Sequence, residues 1–246
     1  MKANLALTAL LVGTLLGGAA QAAKVVNVVD MGELGTGLGS EANGINNANR
    51  TVGRAISPVD FQYRQVVWDG MNMQVFDACC SGFLPTLRSI NLAGEVVGDY
   101  RATRVHSAPV YWTAEGTSTI LPSLGSYGFG KAFSINDAGQ IAGSSVDDAF
   151  DIHAVIWDRA NGIRDLGFLG EPAPGSTRFA QAQGINKFGD VVGQGSLGMD
   201  MKAFVWRNGT FTVLGLGNAT HINDAGLIAG WSPGMIPVTW TNGVQS

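Results

Sequence analysis

The stretch SINDAGQIAG (Ser134–Gly143) returns as HINDAGLIAG (His221–Gly230), identical at eight of ten positions. Weaker copies stand at GINNANRTVG (44–53), SINLAGEVVG (89–98) and GINKFGDVVG (184–193). The Ile-Asn pairs begin at Ile45, Ile90, Ile135, Ile185 and Ile222, roughly 45 residues apart, which is the period of a repeated supersecondary unit. Each copy is followed about 20 residues later by a tryptophan: Trp68, Trp112, Trp157, Trp206 and Trp240. One aromatic at one repeat position reads as core.

Working outward from Ile135, the third copy divides into four short runs: KAFSI (131–135), QIAGS (140–144), HAVIW (153–157) and GIRDL (162–166). They are bounded by Asn, Asp and Gly, the signature of strands joined by tight turns. In NDAG, Asn136 or Asp137 accepts backbone N–H groups, and Gly139 takes a positive φ. The first copy has Asn49 at the glycine position, and Asn is the next residue most able to adopt that conformation. The phrase is therefore scaffold.

Four strands per unit, five units and one large aromatic in each predict an all-β fold, a β-propeller of five four-stranded blades. A β-solenoid is the alternative. The fifth copy reaches TNGVQS where its fourth strand should begin, and KVVNVVDMG (24–32) reads as a fourth strand with no first three before it. Residues 24–30 are thus expected to complete the last blade, pairing near 236–241 and hiding an edge. The repeats fall at about 30–75, 76–120, 121–165, 166–213 and 214–246.

The first 22 residues carry Lys2, an apolar run from Leu5 to Leu16, and Ala20-Gln21-Ala22. That order predicts a signal peptide (1–22) with one repeat domain over 23–246. The mature chain has no second long apolar run, so no membrane span is expected in it. The expected location is secreted or periplasmic. Of the 246 residues, 14% are charged and the formal net charge is −4, which argues against nucleic acid. The 35 glycines fit a turn-rich β-protein. The adjacent Cys79 and Cys80 lack metal-ligand spacing and are a candidate vicinal disulfide, with free or intermolecular thiols equally open.

The phrases Asp165-Leu166-Gly167, Leu169-Gly170, Ile135-Asn136-Asp137-Ala138-Gly139 and His153-Ala154-Val155 ahead of Trp157 resemble the HAF repeat family, and the likeness runs over nearly the whole mature chain. The name-giving triplet departs at Lys202-Ala203-Phe204, Arg64-Gln65-Val66 and Ile236-Pro237-Val238. The resemblance implies an exported repeat protein and assigns no catalytic residue.

In a four-stranded blade the a–b and c–d turns share one face, and the b–c and d–a loops share the other. Here the first set is short and repetitive, the second long and irregular, so a ligand site is expected on the b–c/d–a face near the channel mouth. Asp147, Asp148 and Asp151 are a weak Ca²⁺ candidate without EF-hand spacing, and a solvated acidic loop is the plainer reading. Tyr100, Arg101, Arg104 and His106 are candidates for an anionic sugar or carboxylate. Phe61, Tyr63, Phe150 and Trp231 are candidates for stacking on sugar rings, with packing between blades as the alternative. No His-Glu-x-x-His or phosphate loop occurs. The favoured function is an exported, non-enzymatic binding or scaffold protein whose partner is a glycan, a surface polymer or a protein, with no cofactor beyond the weak Ca²⁺. The alternatives are a secreted polysaccharide hydrolase or lyase using loop carboxylates, and a purely structural matrix protein. Two carboxylates at the channel mouth would favour the enzyme. Aromatics, amides and single charges would favour binding.

Overall fold

The computed structural model describes residues 30–35, 37–76, 85–101 and 107–245. Among these residues, twenty strands form five antiparallel four-stranded sheets, each paired in chain order. The first holds β1 (Ser40–Ile45), β2 (Arg50–Ile56), β3 (Tyr63–Asp69) and β4 (Asn72–Phe76). The second holds β5 (Thr86–Ile90), β6 (Val96–Arg101), β7 (Ser107–Trp112) and β8 (Ser118–Ile120). The third holds β9 (Gly130–Ile135), β10 (Ile141–Val146), β11 (Ile152–Asp158) and β12 (Gly162–Gly167). The fourth holds β13 (Ala180–Ile185), β14 (Val191–Leu197), β15 (Asp200–Arg207) and β16 (Thr210–Leu216). The fifth holds β17 (Asn218–Ile222), β18 (Ile228–Ser232), β19 (Ile236–Thr241) and the two-residue β20 (Val244–Gln245). Residues 24–29 of the expected closing strand lie outside the described residues, and Asp30 is in no strand. Among the described residues no helix is long and apolar enough to cross a membrane.

The repeated turn does two jobs. Asn136 Oδ1 accepts the N–H groups of Ala138 and Gln140, closing its own hairpin. Its Nδ2 donates to the carbonyl of Asn186 in the next sheet. Asn46, Asn91 and Asn186 likewise donate to the carbonyls of Asn91, Asn136 and Asn223. Of the two residues expected to serve the turn, Asn136 does so and Asp137 does not. It instead reaches back across the junction to accept the N–H of Leu92, as Asp224 does for Lys187. The fifth turn residue takes positive φ in every copy, from Asn49 at 62° to Gly94 at 83°.

Each inner strand also carries a bulge at one place. The extra residues are Asn43, Arg88, Phe133, Gln183 and Thr220. Opposite them the last glycine of each decapeptide (Gly53, Gly98, Gly143, Gly193, Gly230) lies against the inner strand, and a Cβ there would overlap a carbonyl oxygen of that strand. Gly therefore recurs because the backbones touch.

Apolar clusters seal the joints between the first and second, second and third, third and fourth, and fourth and fifth sheets. The five repeat tryptophans are buried, as expected for core. The free face of the first sheet, at Ala55, Val66 and Trp68, is covered by Met31 and Leu34.

Candidate functional site

A groove of about 280 Å³ opens on the face of the b–c and d–a loops. Sheets two, three and four all contribute to it. Phe129 and Phe150 supply aromatic walls, and Ser107, Lys131, Ser144 and Gln181 supply polar edges. Tyr127 stacks between the two phenylalanines, at 5.7 Å and 17° from Phe129 and 5.2 Å and 26° from Phe150. Phe150 sits at φ 64° in a left-handed conformation. A Cβ there costs roughly 1 kcal/mol, which the surrounding turn must offset.

That turn is built by the acidic cluster. Asp147 Oδ1 accepts the N–H groups of Ala149 and Asp151. Its other oxygen lies 3.1 Å from His153 Nε2, and His153 Nδ1 lies 2.9 Å from Asp165. Burial pushes the Asp147 carboxyl up, but the His153 bond and the turn N–H groups outweigh it and hold the group below the usual aspartate range. The N–H and hydroxyl of Ser126 hold Asp148 down in the same way. Asp151 accepts the N–H of Arg178. Each of the three expected Ca²⁺ candidates thus ties a loop, with a different partner.

Of the expected stacking residues, Phe150 lines the groove. Phe61, in the loop between β2 and β3, and Tyr63, at the start of β3, are both exposed, with the Arg54 guanidinium 4.2 Å from the Tyr63 ring. Trp231 is half-buried on β18, opposite Asn218. Tyr100 packs on the core between the first and second sheets, and Arg101 is exposed at the end of β6. Arg104 and His106, like Cys79 and Cys80, lie outside the described residues. The sequence reading did not single out Tyr127, Phe129, Lys131 or Gln181.

A second cavity, about 420 Å³, lies on the axis. It is lined by all five bulged residues together with Glu41, Arg54, Thr86 and His221. Phe133 and Gln183 are two residues beyond Lys131 and Gln181 on the same strands, so the cavity lies about 7 Å beneath the groove.

No family model matches the sequence, and neither does any curated protein. Solved structures do match. TolB from Acinetobacter baumannii superposes with a TM-score of 0.50 at 13% identity, covering 71% of this chain. The chain is a β-propeller. It spans 42% of the length of the TolB chain. The Aleuria aurantia lectin, as a point variant in complex with α-methyl-L-fucoside, matches with a TM-score of 0.47 at 13% identity over 84% of this chain and 75% of the lectin. A triple arginine-to-alanine variant of AofleA from Arthrobotrys oligospora matches with a TM-score of 0.46 at 12% identity, over 84% of this chain and 70% of that one. At these identities the likeness speaks for the propeller alone, and the site must be read from its own residues.

Proposed function

We propose that this propeller is an exported, non-enzymatic binding protein that holds a sugar residue of a glycan or surface polymer in the loop-face groove. The observation that carries the reading is the Phe129–Tyr127–Phe150 stack set beside Lys131, Ser144 and Gln181. An apolar wall with a few convergent polar groups suits a pyranose, whose C–H face stacks on a ring while its hydroxyls find hydrogen-bond partners. The acid–base inventory also supports binding over hydrolysis. Among the described residues no carboxylate lines the groove, and Glu41 is the single carboxylate lining the axial cavity, already bonded to Arg54.

The test is a glycan array probed with the mature chain and with Phe150→Ala, followed by an assay for cleavage of every glycan retained. The expected result is selective retention, loss of at least tenfold in affinity with Phe150→Ala, and no cleavage. Retention that ignores Phe150→Ala would remove the groove from the reading, and glycan cleavage would replace binding with catalysis.

A further inference from the structure

The inner strands repeat their backbone and vary their cargo. The residue before each bulge is small or apolar (Ala42, Leu87, Ala132, Ala182, Ala219), and each strand ends in isoleucine. The bulged residue differs in every blade (Asn, Arg, Phe, Gln and Thr), as does the residue two places before it (Glu41, Thr86, Lys131, Gln181 and Asn218). A bulge re-aims a side chain, and here all five line one cavity. Were the bulge only a scaffold device, its residue would be held to a narrow class, as the small or apolar residue directly before it is.

The set is rich in hydrogen-bond donors. Arg88 donates through Nε to Asp99, and its guanidinium lies 5.2 Å from the Phe133 ring. Arg54 donates through Nε and Nη2 to Glu41 and stacks on Tyr63. Both guanidinium planes are therefore fixed, and neither uses all of its N–H groups on these partners. Gln183 accepts from Asn218 through Oε1, which leaves its NH₂ as donor. Fixed guanidiniums are matched to a carboxylate, which accepts two parallel N–H groups. We propose that the axial cavity is a second ligand site, separate from the loop-face groove, and that it takes a small ligand bearing a carboxylate.

The experiment titrates the folded chain with D-glucuronate, with D-glucose as the neutral parent and N-acetylglycine as a carboxylate without a sugar ring, followed by calorimetry and NMR. Glucuronate should bind and glucose should not. Binding of N-acetylglycine as well would assign recognition to the carboxylate alone. Its absence would assign a sugar acid. Arg54→Gln should weaken glucuronate at least tenfold. So should Gln183→Glu, which keeps the acceptor for Asn218 and sets a negative charge against the ligand. Arg88→Gln is a poorer test because it leaves Asp99 buried without its cation. Phe150→Ala should leave glucuronate binding unchanged, which separates this site from the groove. Equal binding of glucose and glucuronate, no binding of glucuronate, loss of it in Phe150→Ala, or indifference to both Arg54→Gln and Gln183→Glu in folded protein would each overturn the proposal.

Discussion

Blades two to five each lay their inner strand on the blade before, and blade one has no such neighbour among the described residues. The same repeat positions record the difference. Ile90, Ile135 and Ile185 are 5–6% exposed, whereas Ile45 is 66% exposed. Leu87, Ala132, Ala182 and Ala219 are buried, whereas Ala42 is exposed. Asn46, Asn91, Asn136 and Asn186 each donate to the turn of the next blade. Asn223 caps its own turn and is exposed. So the burial of a repeated residue belongs to the junction and not to the repeat, the expected behaviour of an array held by nearest-neighbour interfaces.

The isoleucines give the sharpest contrast. Ile135→Ala removes buried methyls from the joint between blades two and three and should cost about 3 kcal/mol, including the cavity left behind. Ile45→Ala should stay within about 0.5 kcal/mol, as exposed substitutions do. Urea denaturation of the two variants reads this directly. Similar losses would mean that the first inner strand is covered as the others are.

The asparagines repeat the contrast at smaller size. Asn136→Ala loses two part-buried turn bonds and the buried bond to Asn186, and should cost about 2 kcal/mol. Asn223→Ala loses only the local turn bonds and should cost about 1 kcal/mol. If the two variants melt together, the inter-blade bond contributes nothing measurable.

These residues also show how far the sequence could be read. The four strands of each unit were legible because their turns need Asn, Asp and Gly at fixed offsets. For the third copy, the expected strand at 131–135 corresponds to Gly130–Ile135, and that at 162–166 to Gly162–Gly167. Phe150 was legible as an exposed aromatic on an irregular loop. Its partners Tyr127 and Phe129 were not, because they sit in an irregular d–a link outside the repeated phrase. The axial set was hidden for another reason. Arg54 and Arg88 lie on scaffold strands, while attention to function favours loops. A signal was present nonetheless: glycine at 53, 98, 143, 193 and 230 interrupts a β-branched strand each time, and such a glycine marks a bulge or a close backbone approach.

The joint between blades two and three adds a pH test that the first blade's exposed side lacks. Glu95, Tyr111 and the Arg159 guanidinium meet there. Burial and the bond to Glu95 push the Tyr111 hydroxyl up to about 12. A raised tyrosine contributes stability that is fully present below its unfolded value near 10 and is lost as pH rises towards 12. Burial also pushes the Glu95 carboxyl up, but bonds from Asn91, Tyr111 and Arg159 outweigh it and hold the group low. That contribution is present above the usual glutamate range and fades as pH falls through it. Stability measured against pH should therefore decline above about pH 10, and Tyr111→Phe should flatten that alkaline limb. An unchanged limb would place the alkaline loss elsewhere.

The aspartates of the repeated turn isolate a single bond between neighbouring blades. Asp137 is exposed, and its carboxylate accepts one N–H, that of Leu92 in the preceding blade. Asp137→Ala should cost about 1 kcal/mol, the usual worth of a single bond to a charged acceptor discounted for solvent. The matched change in blade five, Asp224→Ala, removes the bond to Lys187 N–H and a surface pair with Lys187, and should cost about as much. Both bonds join one blade to the next on the face opposite the groove. Ligand retention should therefore be unchanged in either variant while the melting temperature falls by a few degrees. Loss of binding at full stability would move the repeated turn from the scaffold to the site.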